Sequence, residues 1–212
     1  MKNNYRFKIF NGIWIFSGIL AFIIETAGFF ILGLLKPGYD PVLSTVSELG
    51  ECGGVNAGLA SVLFICAGLL ELIFALGLYL RLRPSGAALA GSVLLAVNGI
   101  FDYISSGFFP CDAGGVYESF SGQMHFFVSV IGMSVMIFPA FFFYAAFRKN
   151  KMKNESRLSL VMAVLVLAGA VLFNAAFFTE AAWLGLAQRI LGYAYWGWIF
   201  LLVLIMPRSG QS

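Results

Sequence analysis

Five ionisable residues lie inside long apolar tracts of the chain: Glu25, Glu71, Asp102, His125 and Arg189. Charge at membrane depth is costly, so each marks a place where polar chemistry is wanted. Asn98, Asn174 and Gln188 add amides to the same tracts. His125 is the single histidine, and Ser121 precedes it by four residues, on the same helical face. Ser121, His125 and Asp102 together supply a nucleophile, a base and an orienting acid, the inventory of a serine hydrolase. Ser44 and Ser47 are further serines for that role. A metal hydrolase needs about three protein ligands and an open position. His125, Asp102 and Asp112, with Glu48 as a substitute, are the residues that could hold such an ion, one preferring oxygen. Neither a nucleophile elbow nor another specific local motif accompanies these sets. The sequence therefore commits to no metal and names no cofactor.

The elements that must position these residues are helices in a bilayer. Of the 212 residues, 60% are hydrophobic, 17% aromatic and 11% charged, and the mean hydropathy is +0.91. A soluble domain has about 25% charged residues. A soluble enzyme, a disordered segment and a nucleic-acid binder are thereby excluded as classes, and the net charge of +3 does not suggest a polyanion site. Six apolar tracts, near 10–34, 57–79, 86–108, 122–147, 158–178 and 183–206, reach the length of about 20 residues that a spanning helix needs. They are continuously apolar, which argues against barrel strands. The expected fold is all-α: one six-helix transmembrane domain over residues 1–212. The first tract is too long for a signal peptide and contains Glu25.

Orientation follows from the basic residues. Lys2, Arg6, Lys8, Arg81, Arg83, Arg148, Lys149, Lys151, Lys153, Arg157 and Arg208 fall on one side of a six-span arrangement, leaving Lys36 and Arg189 for the other. The positive-inside rule places both termini in the cytoplasm. Asp40, Glu48, Glu51, Asp112, Glu118 and Glu180 then lie in external loops. Cys52 and Cys111 are external too, where a disulfide can persist; a Cys52–Cys111 bridge or two free thiols are the alternatives. Asp40-Pro41 is a good helix start, and Val42, Leu43, Val46 and Leu49 recur at helical spacing before Gly50. A short amphipathic helix over 40–50 is expected, with Ser44 and Glu48 on one face. Pro139 is expected to kink the fourth span.

Depth arithmetic gathers the polar residues. At 1.5 Å per residue, Asp102, His125, Asn174 and Arg189 come within roughly 10 Å of the outer boundary, and Glu25 about 15 Å deep. Polar side chains on separate helices are cheapest when they face one another. The expectation is an outward-facing pocket roofed by 40–50 and 109–121. Arg189 would be its anion contact, paired with Asp102, and Glu48, Asp112, Ser44, Ser47, Gln188, Asn174 and Glu25 would be ligand-binding. A dry network that only fixes helix packing is the structural alternative.

Tyr39-Asp40-Pro41, Ser44-Thr45-Val46-Ser47-Glu48-Leu49-Gly50, Phe109-Pro110-Cys111-Asp112, the Ser121-to-His125 stretch and Leu186-Ala187-Gln188-Arg189-Ile190 resemble the prokaryotic membrane family "domain of unknown function 998". The resemblance covers nearly the whole chain and implies a six-helix protein of a bacterial or archaeal plasma membrane without an assigned reaction. In that pattern a second cysteine often follows the Phe-Pro-Cys-Asp segment; here Ala113-Gly114-Gly115 stand there, so a bridge within the loop is unavailable. Ser121-to-His125 with Asp102 is also similar to the first parts of the motif in membrane hydrolases that include alkaline ceramidases. The later histidine pair of that motif is missing, which removes a zinc site of that kind.

The functional expectation is a multi-pass protein that binds or handles a lipid or other small amphiphile. A membrane-embedded hydrolase, metal- or serine-dependent, is the alternative, and Glu25 with Glu71 raise a proton-coupled transporter as a third reading. Membrane lipids are the expected partners, with no nucleic acid; a homo-oligomer is compatible with the sequence.

Overall fold

The structure, a computed structural model, describes residues 2–206, with side chains described from Ile13 onward. The basic side chains of Lys2, Arg6 and Lys8, and the whole of Arg208, lie outside the described residues. Six helices are long and apolar enough to cross a membrane: Ile13–Leu35, Ala57–Leu82, Gly86–Phe108, Phe120–Lys149, Lys153–Phe178 and Leu184–Ile205. We call them spans one to six. No strand occurs among the described residues. Large apolar side chains such as Leu34, Phe16, Val171 and Phe178 stand exposed along them. An apolar surface of that extent belongs against acyl chains, and each helix closes its own backbone hydrogen bonds there. The chain is a multi-pass membrane protein.

Local signals set the span boundaries. Ser85 opens span three by accepting the Ala88 amide at 3.2 Å, and Ser119 opens span four by accepting the Gly122 amide at 3.1 Å. The spans close into a ring in which each packs on its neighbours in chain order and span six returns to span one. Trp14, Phe74, Phe143, Trp196 and Trp198 fill the middle. One seam of this ring is incomplete. Span four is broken: one helix ends at Val135 and a second, Pro139–Lys149, starts with proline at its first position. Proline lacks an amide and its ring crowds the carbonyl four residues back, so the helix cannot run straight through. The half after the break packs on spans three and five, whereas Phe120–Val135 packs on span three and makes no extensive contact with span five.

Two spans carry a second irregularity. Ile24–Gly28 in span one and Gly99–Ile104 in span three are π-helical turns. A π-turn adds a residue to the helix and re-aims the side chains around it, and such turns concentrate at functional sites. One contains Glu25 and the other Asp102. Span four approaches the second turn closely. A Cβ on Gly132 would lie 2.3 Å from the Asp102 Cβ and 2.7 Å from its backbone nitrogen, so glycine is required there.

The first long connection differs from the expected amphipathic helix over 40–50. A single turn forms after Asp40, where the Ser44 amide donates to the Asp40 carbonyl at 2.7 Å, and a 3-10 turn follows at Ser47–Gly50. The reason is competition for backbone groups. The carbonyls of Pro41, Val42, Ser44 and Thr45, and the amide of Val46, bond to partners outside the segment, so a continuous helix cannot use them.

Candidate functional site

The connections 36–56 and 109–119 form a roof over one end of the bundle, and Arg189, in the first turns of span six, fastens it. Its Nη1 donates to the carbonyls of Pro41 at 2.7 Å, Ser44 at 2.9 Å and Gly185 at 3.0 Å, while Nη2 donates to the Tyr39 hydroxyl. The guanidinium also lies over the Tyr39 ring, 5.5 Å from its centre. Burial pushes the Tyr39 phenol up to about 12 despite the adjacent guanidinium, so it stays protonated and donates to the Thr45 carbonyl at 2.8 Å. Gln188 takes the Val46 amide at 2.6 Å, and the Leu186 amide donates to the Val42 carbonyl at 3.0 Å. Gly185 permits this approach, because a Cβ there would sit 2.2 Å from the Ser44 carbonyl oxygen.

A second set of bonds joins the two roof segments. Lys36 pairs with Glu51 at 2.7 Å, and the other Glu51 oxygen accepts the Gly114 amide at 2.8 Å. Burial alone would raise the Glu51 carboxyl; the Lys36 hydrogen bond, the Gly114 amide and the Lys36 charge together outweigh it and hold it below the usual range. The Cys52 amide donates to the Cys111 carbonyl at 2.8 Å. No disulfide accompanies this contact: both cysteines are free, and the Cys111 thiol meets the Ser47 carbonyl at 3.4 Å. Burial, reinforced by Glu51 and Glu48, pushes that thiol up to about 12, which keeps it protonated.

Beneath the roof, the unclosed seam between the first half of span four and span five leaves a lateral cleft of about 630 Å³. Phe126, Val130, Ile137, Phe138, Phe173 and Phe177 make its walls apolar. Thr45, Ser47 and Tyr117 come from the roof, and His125, Asn174 and Gln188 from the span ends nearest it. The cleft is therefore polar at the end beneath the roof and mostly apolar along its length, where Ser129 and Ser134 are the polar exceptions.

Behind it lies a chamber of about 40 Å³ that shares Ser47, Met133, Gln188 and Leu191 with the cleft as a common wall. Glu25, Asp102, Tyr103, Ser106 and Phe64 are among its other lining residues. Glu25 also borders a crevice on the opposite flank, between spans one and six, which Arg189 and Tyr193 line. A family model described as protein of unknown function (DUF998) matches residues 19–205, which include every one of these positions. The chain belongs to that family. No curated protein and no solved structure matches it.

In this DUF998 chain the residues singled out from sequence distribute over three places. Glu25, Asp102, Ser47 and Gln188 meet at the chamber, and His125 and Asn174 line the cleft beside it. Arg189, Ser44 and Glu48 belong to the roof: Ser44 lends its carbonyl, and Glu48 accepts the Thr45 amide at 2.7 Å. The expected Arg189–Asp102 pair does not form, because the guanidinium is spent on the roof. Asp112 stands apart, accepting the Ser119 hydroxyl at 2.6 Å and the Glu118 and Ser119 amides at 2.8 Å, bonds that hold its carboxyl low. Ser121 and His125 are not bonded to each other. Ser121 donates to the Pro110 carbonyl at 2.8 Å, and His125 Nδ1 meets the Phe109 carbonyl at 2.9 Å. A carbonyl only accepts, so that nitrogen carries the proton. His125, Asp102 and Asp112 do not gather, and no group of three metal-ligating residues occurs among the described residues.

Sequence reasoning missed Ser106, Tyr103 and Met133, which carry no charge to flag them, and both π-turns. A glycine near each buried carboxylate, Gly28 and Gly99, is the one trace of those turns in the sequence.

Two outcomes follow from the roof. Arg189→Lys keeps the charge but loses the fork that reaches three carbonyls and a phenol. It is expected to expose 40–50 to limited proteolysis nearly as much as Arg189→Ala, with a loss of about 2 kcal/mol or more; protection equal to the parent would show that charge alone suffices. Glu51 is held low, so its contribution is complete above the ordinary carboxylate range and is lost as pH falls through its lowered value. Proteolysis of the roof should therefore rise in acid in the parent protein, and Glu51→Gln should be open already at neutral pH.

Proposed function

We propose that the protein binds one lipid or lipid-like amphiphile in the lateral cleft, drawn from the outer leaflet of a bacterial or archaeal plasma membrane, with both termini cytoplasmic. The observation that carries this reading is the cleft itself, about 630 Å³, apolar along its walls and polar beneath the roof. That volume falls within the range of small-molecule sites, roughly 300–1,000 Å³. An acyl chain gains little by leaving other acyl chains for an apolar wall. Selectivity therefore rests on the polar end, where Ser47, His125 and Gln188 meet the cleft.

Binding is favoured over bond cleavage because Ser121 gives its hydroxyl proton to the Pro110 carbonyl and no hydrogen bond joins it to His125. A hydrolase of either kind would need its nucleophile and base, or its ligands, drawn together.

The test fills the cleft without disturbing the packed core. Ser134 lines the cleft and is exposed within it. Native mass spectrometry of the parent protein is expected to show a single firmly retained lipid, and Ser134→Trp to lose it. Leu76→Trp, on an exposed flank of span two, should retain it. Equal retention in all three proteins would mean that the lipid sits elsewhere.

A further inference from the structure

We propose that the amphiphile carries a primary ammonium group, and that this group binds in the chamber behind the cleft, between Glu25 and Asp102. The proposal rests on the cleft reading and adds the chemical class of its ligand. The sequence points to an anion contact at Arg189, but in the chamber the side chains left without an ionic partner are the carboxyls of Glu25 and Asp102. Arg189 donates to three carbonyls and a phenol. Among the described residues, neither Glu25 nor Asp102 has a lysine or arginine within ion-pair distance.

The chamber asks for hydrogen-bond donors. Glu25 is 8% exposed, and its Oε2 has no hydrogen-bond partner; Ser106 is 5% exposed, and its Oγ has none either. Both residues, with Asp102, line the same small space. Leaving such oxygens dry is costly. Tyr103, which accepts the Trp196 indole at 2.6 Å, turns its own hydroxyl to Glu25, and Asn98, which donates to the Gly132 carbonyl at 3.1 Å, also reaches Asp102; these neutral donors still leave Glu25 Oε2 and Ser106 Oγ unbonded. A primary ammonium brings three N–H donors and one positive charge, which matches two carboxylates and a hydroxyl.

Size and lining narrow the class further. About 40 Å³ has room for an ammonium group, and two carboxyl side chains in the lining disfavour a phosphate. The remaining walls include the rings of Phe64 and Tyr103 and the thioethers of Met133 and Met136. Aromatic faces favour an organic cation, whereas calcium and magnesium take six or more oxygens, and no group of three metal-ligating residues stands here among the described residues. The wall shared with the cleft is formed by Met133, Leu191, Gln188 and Ser47, and Met133 has the unbranched, flexible chain that yields to an arriving headgroup. An aminolipid lying in the cleft would place its phosphate beneath the roof and its ammonium in the chamber.

The test compares headgroups on the whole protein. Phosphatidylethanolamine and its mono-, di- and trimethylated forms, with identical acyl chains, compete for the purified protein, and retained lipid is read by native mass spectrometry. The expected result is a preference for phosphatidylethanolamine over phosphatidylcholine of about tenfold or more, falling stepwise as N–H donors are removed. Glu25→Gln and Asp102→Asn, which keep shape and remove charge, should each retain lipid but lose the preference. Equal retention of all four headgroups by the parent protein overturns the ammonium assignment and leaves the cleft reading standing. A preference that survives both substitutions places the ammonium elsewhere and also overturns it. Failure to retain any lipid removes the cleft reading, and this proposal with it. Free ethylamine stabilising the parent but not Glu25→Gln, without any headgroup preference, overturns the aminolipid in favour of a soluble amine. Should the variants not fold, the headgroup series on the parent protein decides alone.

Discussion

Inside a bilayer every polar group must find its partner within the protein, and Arg189 is where this chain meets that demand most heavily. Its guanidinium satisfies the carbonyls of Pro41, Ser44 and Gly185 and the Tyr39 hydroxyl at once. A planar fork with several donors does this and a point charge does not. The connection 36–56 thereby becomes a fixed roof without being a helix. Spending the cation there leaves Glu25 and Asp102 with no basic neighbour in ion-pair range among the described residues.

Helix irregularities supply the space. The break before Pro139 sends the second half onto span five and leaves the first half on span three, so the seam opens beneath the roof. The π-turns at Glu25 and Asp102 bring two carboxylates to the wall behind that opening. Glycine at 132 lets span four cross directly over Asp102. Cleft, chamber and roof are thus consequences of a few residues acting against the regular helix.

Much of this could be read from the sequence, for a physical reason. Spanning helices need long apolar runs, so six runs named six spans to within a few residues, and the family resemblance carried by the Tyr39-to-Gly50 and Phe109-to-Asp112 segments agrees with the match over 19–205. Depth arithmetic brought Glu25, Asp102, His125 and Asn174 to one end because rise per residue is nearly constant. It failed wherever backbone atoms were the partners. The apolar spacing of Val42, Val46 and Leu49 suggested a helix, but periodicity is blind to carbonyls claimed by Arg189 and Tyr39. The Arg189–Asp102 pair was inferred from charge and depth, which do not register competing oxygens. Of the two alternatives open for Cys52 and Cys111, a bridge or free thiols, the structure has free thiols, and a backbone hydrogen bond joins the two segments.

The proposed site is the opening between the first half of span four and span five with the Glu25 and Asp102 chamber behind it. A density map of the protein in lipid nanodiscs containing phosphatidylethanolamine tests it most directly. The account predicts an elongated density along Phe126, Val130 and Phe173, ending at Glu25 and Asp102. A map in which Phe120–Val135 lies closed against span five, with the two carboxylates sealed from the bilayer, would contradict it.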